Sequence, residues 1–418
     1  MVKNIGFVST RFAGTDGVSL EASKWATVLE HYGHRIFWFA GELDKNDEVS
    51  FLVNEAHFQH AQNKWINERI FGTRGRDPKV TDAIHTMRSH LKIKLHEFLK
   101  RFQLDMLVVE NVLTIPMHVP LGLALTELIG ETQIPSIAHH HDFYWERDRF
   151  SINCVAGYLQ MAFPPNHHSL EHVVINSAAR EQLALRTGIA ATIIPNVFDF
   201  ENPPISHPEN SKGFKAAIGL EPEDLIILQP TRIVQRKGIE NSIQLIKALK
   251  NPRYKLVISH APGDEGCEYA EWLQENAKEQ GVDLLLLKTC NMDQLFSDRQ
   301  PPEQYNLWDI YPHADFITYP SLYEGFGNAF IEAVFFRKPV MINRYSIFIR
   351  DIEPLGFDLV SMDGVITHRT VDQVREILES EERKQKMVQT NFDIAARHFS
   401  YAVLRKQLNG LITNVFGM

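Results

Sequence analysis

The sequence predicts an α/β protein of two domains, each a parallel sheet covered by helices. Three observations point there. Short runs rich in apolar and β-branched residues recur along the 418 residues, with helical patterns between them. The runs are apolar on both faces, as strands buried between two helical layers must be. The series occurs twice, and a proline-rich stretch without any period separates the two halves.

Taken in order, the first series is "NIGFV", "RIFWF", "DMLVVE", "IPSIA", "HVVIN" and "ATIIP". The second is "LIILQ", "KLVIS", "DLLLLK", "DFITY" and "PVMIN". Between them lies "PNVFDFENPPISHPENSKG", residues 195–213, with four prolines, two serines and few apolar residues. This composition marks a linker. It puts a first domain at residues 1–196, a linker at 197–213 and a second domain at 214–399. From about Val371 onward the chain reads as helical, and pattern alone does not say which domain its last helix covers. A chain of this length ordinarily splits into two cores, each of roughly 200 residues.

Composition narrows the function. Hydrophobic residues at 44% and charged residues at 23% match an ordinary soluble protein. The formal net charge of -9 argues against a broad electrostatic footprint for nucleic acid or an anionic membrane. An anionic ligand therefore needs a local cluster of cations. Cys154, Cys267 and Cys290 are odd in number and widely spaced, which fits neither a disulfide framework nor a thiolate zinc site. With no signal-like segment at its start and no apolar run near the ~18 residues of a membrane span, the chain reads as cytoplasmic. The basic amphipathic stretch "MRSHLKIKLHEFLKRF" keeps membrane-surface contact as an alternative.

Two segments of the second half carry most of the chemistry. In "SLYEGFGNAFIEAVFF" a strand passes through a glycine turn into a helix, a combination that gathers unpaired backbone N–H groups and the helix dipole at one loop. Gly325 and Gly327 let a ligand approach that backbone closely. Glu332 falls about one turn beyond Asn328, and Glu324 precedes the loop. Carboxylates beside a phosphate repel it, so they suit neutral hydroxyls attached to that phosphate. Otherwise the glycines serve only the turn, and Glu332 is a solvated helix residue. In "PTRIVQRKGIENSIQLIKAL", Arg232 and Lys237 stand at the carboxyl end of "LIILQ", where open α/β sheets hold ligands. Arginine offers a bidentate fork and lysine a point charge, and a diphosphate accepts both. A solvated basic loop is the plain alternative.

The first half adds two weaker signals. Gly14 and Gly17 precede the helix "VSLEASKWATVLE", without the spacing of a dinucleotide fingerprint. In "SIAHHHDFYWER", alternation puts His139 and His141 on one face of a strand end and His140 on the other. One contiguous run seldom supplies a whole metal site, so substrate contact by at least one histidine is the preferred role. No Asp-x-Asp occurs, nor any P-loop or G-x-S-x-G.

Together the first glycine loop, a histidine after a middle strand, "RIVQRKG" and "YEGFGNAFIEA" resemble the retaining glycosyltransferases of family 4. The resemblance spans nearly the whole chain, and its most specific mark is the pair Glu324 and Glu332. It implies the GT-B architecture, two Rossmann-like domains facing a cleft, with the residues from about 400 returning to the first domain. By this resemblance Arg232 and Lys237 hold the donor diphosphate, and Glu332 holds the ribose hydroxyls. Glu324 contacts the donor sugar beside Gly325, Phe326, Gly327 and Asn328, and Gly17 lies against the phosphates. His140 lines the acceptor side, because Asp142 follows two residues later as in sugar-phosphate synthase relatives; His141 is the second choice. The catalytic set is then His140, His141, Arg232, Lys237 and Glu324, with no metal and no cofactor. The reaction implied moves a hexosyl group, with retention, from a donor such as UDP-glucose or GDP-mannose to a hydroxyl of a small soluble sugar acceptor. A disaccharide phosphorylase on the same scaffold, or a noncatalytic sugar-nucleotide-binding protein, is the alternative.

Overall fold

The computed structural model of the protein describes residues 2–14, 16–203, 208–260, 267–287 and 307–416. The chain divides into two compact units, Met1–Val197 with Tyr401–Met418, and Phe198–Ser400. Unit 1 holds strands β1 (Asn4–Val8), β2 (Arg35–Ala40), β3 (Ser50–Leu52), β4 (Met106–Glu110), β5 (Ser136–His140), β6 (Leu170–Val174) and β7 (Thr192–Ile193). They pair in the order β3-β2-β1-β4-β5-β6-β7, all parallel. Unit 2 holds β8 (Leu225–Gln229), β9 (Tyr254–Ile258), β10 (Leu284–Leu286), β11 (Phe316–Tyr319), β12 (Val340–Asn343) and β13 (Val360–Met362). Their order is β10-β9-β8-β11-β12-β13, again parallel. In both sheets the order reverses beside the first strand, which creates a crevice at the strands' carboxyl ends.

Each of the apolar runs read from the sequence forms a strand. The sequence reading missed β3 and β13, of three residues each, because so short an edge segment shows no usable alternation. Helix Pro208–Ala217 begins inside the stretch expected to be linker. Cys267 is disulfide-bonded, against the expectation drawn from cysteine spacing, whereas Cys154 is a free thiol.

Helix Pro78–Phe102 contains the basic stretch singled out for membrane contact. Its buried residues Val80, Ile84, Met87, Leu91, Leu95 and Phe98 recur every three or four positions and join the core of unit 1. Its cations are also engaged: Arg88 and Lys92 pair with Glu127 of helix Val119–Thr132. The apolar stripe is thus used inside the protein, where burying each large side chain stabilises by about 1.5–3 kcal/mol. Among the described residues no helix is long and apolar enough to cross a membrane.

Helix Gly17–His31 starts at Asp16, whose carboxylate accepts from the backbone of Val18 and Ser19. Trp25, Val28 and Leu29 on its inner face share a buried cluster with Leu404, Leu408, Leu411 and Ile412 of the last helix, Tyr401–Phe416. That spacing of four, three and one is a single helical face, so the end of the chain completes the core of unit 1.

Candidate active site

In unit 2 two loops meet at the carboxyl ends of β8 and β11, neighbours at the reversal of strand order. Loop 235–238 follows β8, and loop 320–327 follows β11. The Leu322 amide donates to the Arg236 carbonyl at 2.8 Å, joining them. Gly238 has φ +59°, and a Cβ there would stand 2.6 Å from the Pro320 carbonyl oxygen. The left-handed backbone favours glycine, and the close approach requires it. Beneath the first loop, Gln229 donates to the Lys237 carbonyl at 3.0 Å and accepts from the Ser242 hydroxyl at 2.7 Å. A buried hydrogen-bond network of this kind fixes the direction of the Lys237 side chain.

Lys237 Nζ bonds to Glu324 Oε1, and Arg236 Nη1 bonds to Glu324 Oε2 at 3.2 Å. Glu324 is 7% exposed and Lys237 8%. Burial works against the Glu324 charge, but Lys237 and Arg236 outweigh it and hold the carboxyl below its usual range. Lys237 is pulled down by burial, with Arg236 and Arg232 adding to the effect and Glu324 opposing it. Arg232 is exposed nearby. Arg236 is the residue that sequence reasoning missed, although it sits inside the quoted "QRKG". Its signal was drowned by a neighbouring lysine and by a loop whose side-chain directions no periodicity predicts.

The glycine turn leads into helix Asn328–Phe335 through Gly327 at φ +117°. A Cβ at Gly327 would lie 2.3 Å from the Tyr345 hydroxyl, which itself donates to the Phe326 carbonyl at 2.7 Å. Tyr345 thus closes over the turn and sets its shape. One turn into the helix, Glu332 accepts from the Tyr311 hydroxyl at 2.8 Å. Burial, reinforced by Glu332, drives the Tyr311 phenol well above its ordinary value, so it remains a donor. Three cations (Arg232, Arg236, Lys237) against two carboxylates (Glu324 and, one turn into the helix, Glu332) leave a surplus of one positive charge beside a helix N-terminus. That surplus suits a diphosphate.

Unit 1 brings its own polar groups to the carboxyl ends of β1, β4 and β5. Glu110 stands opposite His139 in the pairing of β4 with β5. The His139 Nδ1 lies 3.1 Å from Glu110 Oε2, and His141 Nε2 lies 3.2 Å from the same oxygen. Burial opposes ionisation of Glu110, but His139 and His141 overcome it and take the carboxyl down to about 2. Asn111, at φ +61°, accepts from the His141 amide and donates to Asp142. A left-handed asparagine here ties the end of β4 to the histidine loop.

His140 points to the other face. It is fully buried, with Nδ1 bonded to Thr114 and Nε2 to His172 at 2.9 Å. Burial and the neighbouring His172 push it well below its ordinary value, so the ring is neutral. With both nitrogens engaged it offers none to a substrate, whereas the His141 side chain is 11% exposed. The sequence preference for His140 over His141 is reversed on this geometry. Gly17 is exposed at the start of its helix, and the amides that follow it are already occupied by the Asp16 carboxylate. An anion arriving there meets a negative cap.

Residues 211–393 match the domain family described as Glycosyl transferases group 1. Across 99% of its length the chain is 30% identical to the mannosylglucosylglycerate synthase of Petrotoga mobilis, covering 98% of that protein. It is 31% identical to the enzyme of the same name from Thermotoga maritima, over 95% of this chain and 96% of that one. A glycosyltransferase crystal structure from Rickettsia africae aligns over 99% of both chains with a TM-score of 0.70 at 12% identity, a likeness of fold. Two parallel-sheet units, a cationic glycine-loop site and relatives matched from end to end lead to one conclusion: the chain belongs to the Glycosyl transferases group 1 family and is a glycosyltransferase of GT-B architecture.

Proposed function

We propose that the protein transfers a hexosyl group, with retained anomeric configuration, from a nucleoside diphosphate sugar to a hydroxyl of a small soluble sugar acid. The observation that carries this reading is the convergence of Arg236 and Lys237 on Glu324 beside the Gly327 turn. Arg236, Lys237 and the exposed Arg232 take the donor diphosphate, and the amides opening helix Asn328–Phe335 add their dipole. Glu332, oriented by Tyr311, takes the ribose hydroxyls. Glu324 passes its cations to the incoming phosphate and turns to the hydroxyls of the transferred sugar.

Cations fixed around the leaving phosphate stabilise the charge that develops on it, and the phosphate oxygen then helps accept the acceptor proton on the same face of the sugar. In this reading both motif carboxylates are taken up by hydroxyls, Glu332 by those of the ribose and Glu324 by those of the transferred sugar, which favours this front-face course over a covalent glycosyl intermediate. On the acceptor side His141 is the partly exposed histidine, with Asn111 and Arg11 nearby in unit 1. The names of the two relatives, which describe a mannosyl unit joined to glucosylglycerate, favour a mannosyl donor and a glucosylglycerate-type acceptor. Fixed cations make a divalent metal unnecessary at the donor.

The test incubates purified protein with GDP-mannose or UDP-glucose and glucosylglycerate, and reads the product's anomeric configuration by NMR. Transfer with retention is expected. Inversion would overturn the mechanism, and donor binding without transfer to any sugar acceptor would overturn the activity.

A further inference from the structure

We infer that unit 1 contains a site for one zinc-class divalent metal ion, held by Glu110, His139 and His141. The three residues place their ligand atoms within 4.8 Å of one another. Topology builds the set: β4 supplies Glu110, and the adjacent β5 supplies His139 directly opposite, with His141 two residues on and therefore on the same face. The contiguous histidine run is not the whole site, because its third ligand comes from a strand about thirty residues away.

Four features favour a metal over a simple hydrogen-bonded cluster. Both imidazoles converge on one carboxylate: His139 Nδ1 lies 3.1 Å from Glu110 Oε2 and 3.2 Å from Oε1, and His141 Nε2 lies 3.2 Å from Oε2. Ligand atoms around a tetrahedral zinc, each at ~2.0–2.1 Å from it, stand roughly 3.3–3.4 Å apart, so the carboxylate–imidazole separations of 3.1 and 3.2 Å need only a slight widening to admit the ion. Glu110 is completely buried, and among the described residues its ion-pair partners are these two imidazoles alone. The neighbouring carboxylates Glu21 and Asp142 each have a full cation, Lys24 and Arg147. Without a metal the two imidazoles must carry the charge that compensates this fully buried carboxylate, and a divalent ion held by all three groups would take over that role.

The rings are also held in place. Trp25 stacks on His139 at 4.2 Å between centroids, and Asn111 accepts from the His141 amide. Pre-set rings reduce the entropy lost on coordination. Finally, Glu110 forms part of the wall of a cavity of about 130 Å³ lined also by Ser9, Arg11, Asn111 and His118, so open space reaches one of the three ligand residues. Nitrogen donors with one carboxylate select zinc and its first-row neighbours over magnesium or calcium.

This site is separate from the donor cations of unit 2, and its test does not depend on transfer activity. Protein purified from zinc-supplemented cells is assayed for metal content, stripped with a chelator, and titrated with ZnCl2 while its melting temperature is followed; MgCl2 is the control. Wild type is expected to carry about one zinc per chain and to gain stability with zinc but not magnesium. Cobalt substitution is expected to give the visible absorption of a low-symmetry, nitrogen-ligated ion. Glu110→Gln and His141→Asn are expected to lose at least tenfold in zinc affinity. If Glu110→Gln does not fold, the partly exposed His141→Asn variant carries the comparison. Wild type that holds no metal and ignores added zinc overturns the proposal, as does equal zinc affinity in wild type and His141→Asn.

Discussion

Replacing Glu324 by glutamine keeps the side-chain shape and removes one buried negative charge from between Lys237 and Arg236. At an effective dielectric of about 20, a unit pair at ~4 Å is worth about 4 kcal/mol. Relief of the carboxylate's own desolvation offsets part of that loss. The net expectation is about 2–4 kcal/mol of lost stability in unit 2 without ligand. A bound nucleoside diphosphate reverses the balance, because it supplies the negative charge that the two cations have lost. Affinity for free nucleoside diphosphate should therefore stay equal or tighten by up to about tenfold, ~1.4 kcal/mol. Transfer should fall about 10²–10³-fold, a loss of the size seen when one preorganised contact at a reacting centre is removed. Calorimetry with nucleoside diphosphate and initial transfer rates on the same preparation give the two readings. A variant that loses tenfold or more in nucleotide affinity, or that transfers at near wild-type rate, would refute the assignment of Glu324 to the sugar. The pH dependence follows from the same pair. The Glu324 pKa is depressed in the folded protein, so its contribution to stability is present above the ordinary carboxyl value of 4.5 and disappears as pH falls through the lowered one. The glutamine variant should show a shallower acid limb in melting temperature against pH.

Arg236→Ala and Lys237→Ala should each lower turnover about tenfold to a thousandfold, and steady-state kinetics that match wild type in both would remove the diphosphate site. Glu332→Ala should weaken free nucleoside diphosphate by ~1–3 kcal/mol, while Tyr311→Phe, which removes the 2.8 Å bond that orients it and the longer 3.4 Å one to the Ala329 carbonyl, should cost ~0.5–1.5 kcal/mol. Equal calorimetric losses in those two variants would mean that Glu332 does not itself reach the ligand. Gly327→Ala should destabilise by about 1–3 kcal/mol from the +117° φ alone, and more through the contact with Tyr345. Adding Tyr345→Phe should return only the steric part, and a wild-type melting temperature in Gly327→Ala would contradict the geometry of the turn.

Local order was plain in the sequence. Runs such as "LIILQ" and "DFITY" became strands because a strand apolar on both faces has only one stable place, between layers of helices. Gly238 and Gly327 announced loops because glycine adopts a left-handed backbone at the least cost. Glu332, four residues after Asn328, could be put on the loop side of its helix from helical geometry alone. Alternation likewise separated His140 from His139 and His141.

Other features depended on distance in space rather than along the chain. Which cation meets Glu324 was settled by loops joined through Leu322 and Arg236, 86 residues apart in number, so Arg236 took a place that spacing had not shown. His140 lost its claim to the substrate because Thr114 and His172, on other segments, occupy both its nitrogens. Glu110 joined the histidines through strand pairing. The final helix found its core through Trp25 and Leu29, contacts that its own amphipathic pattern could not choose between two domains. Periodicity records which face of an element is buried, since that is a property of the element. The partner across that face is chosen by strand order, and strand order is a property of the folded whole.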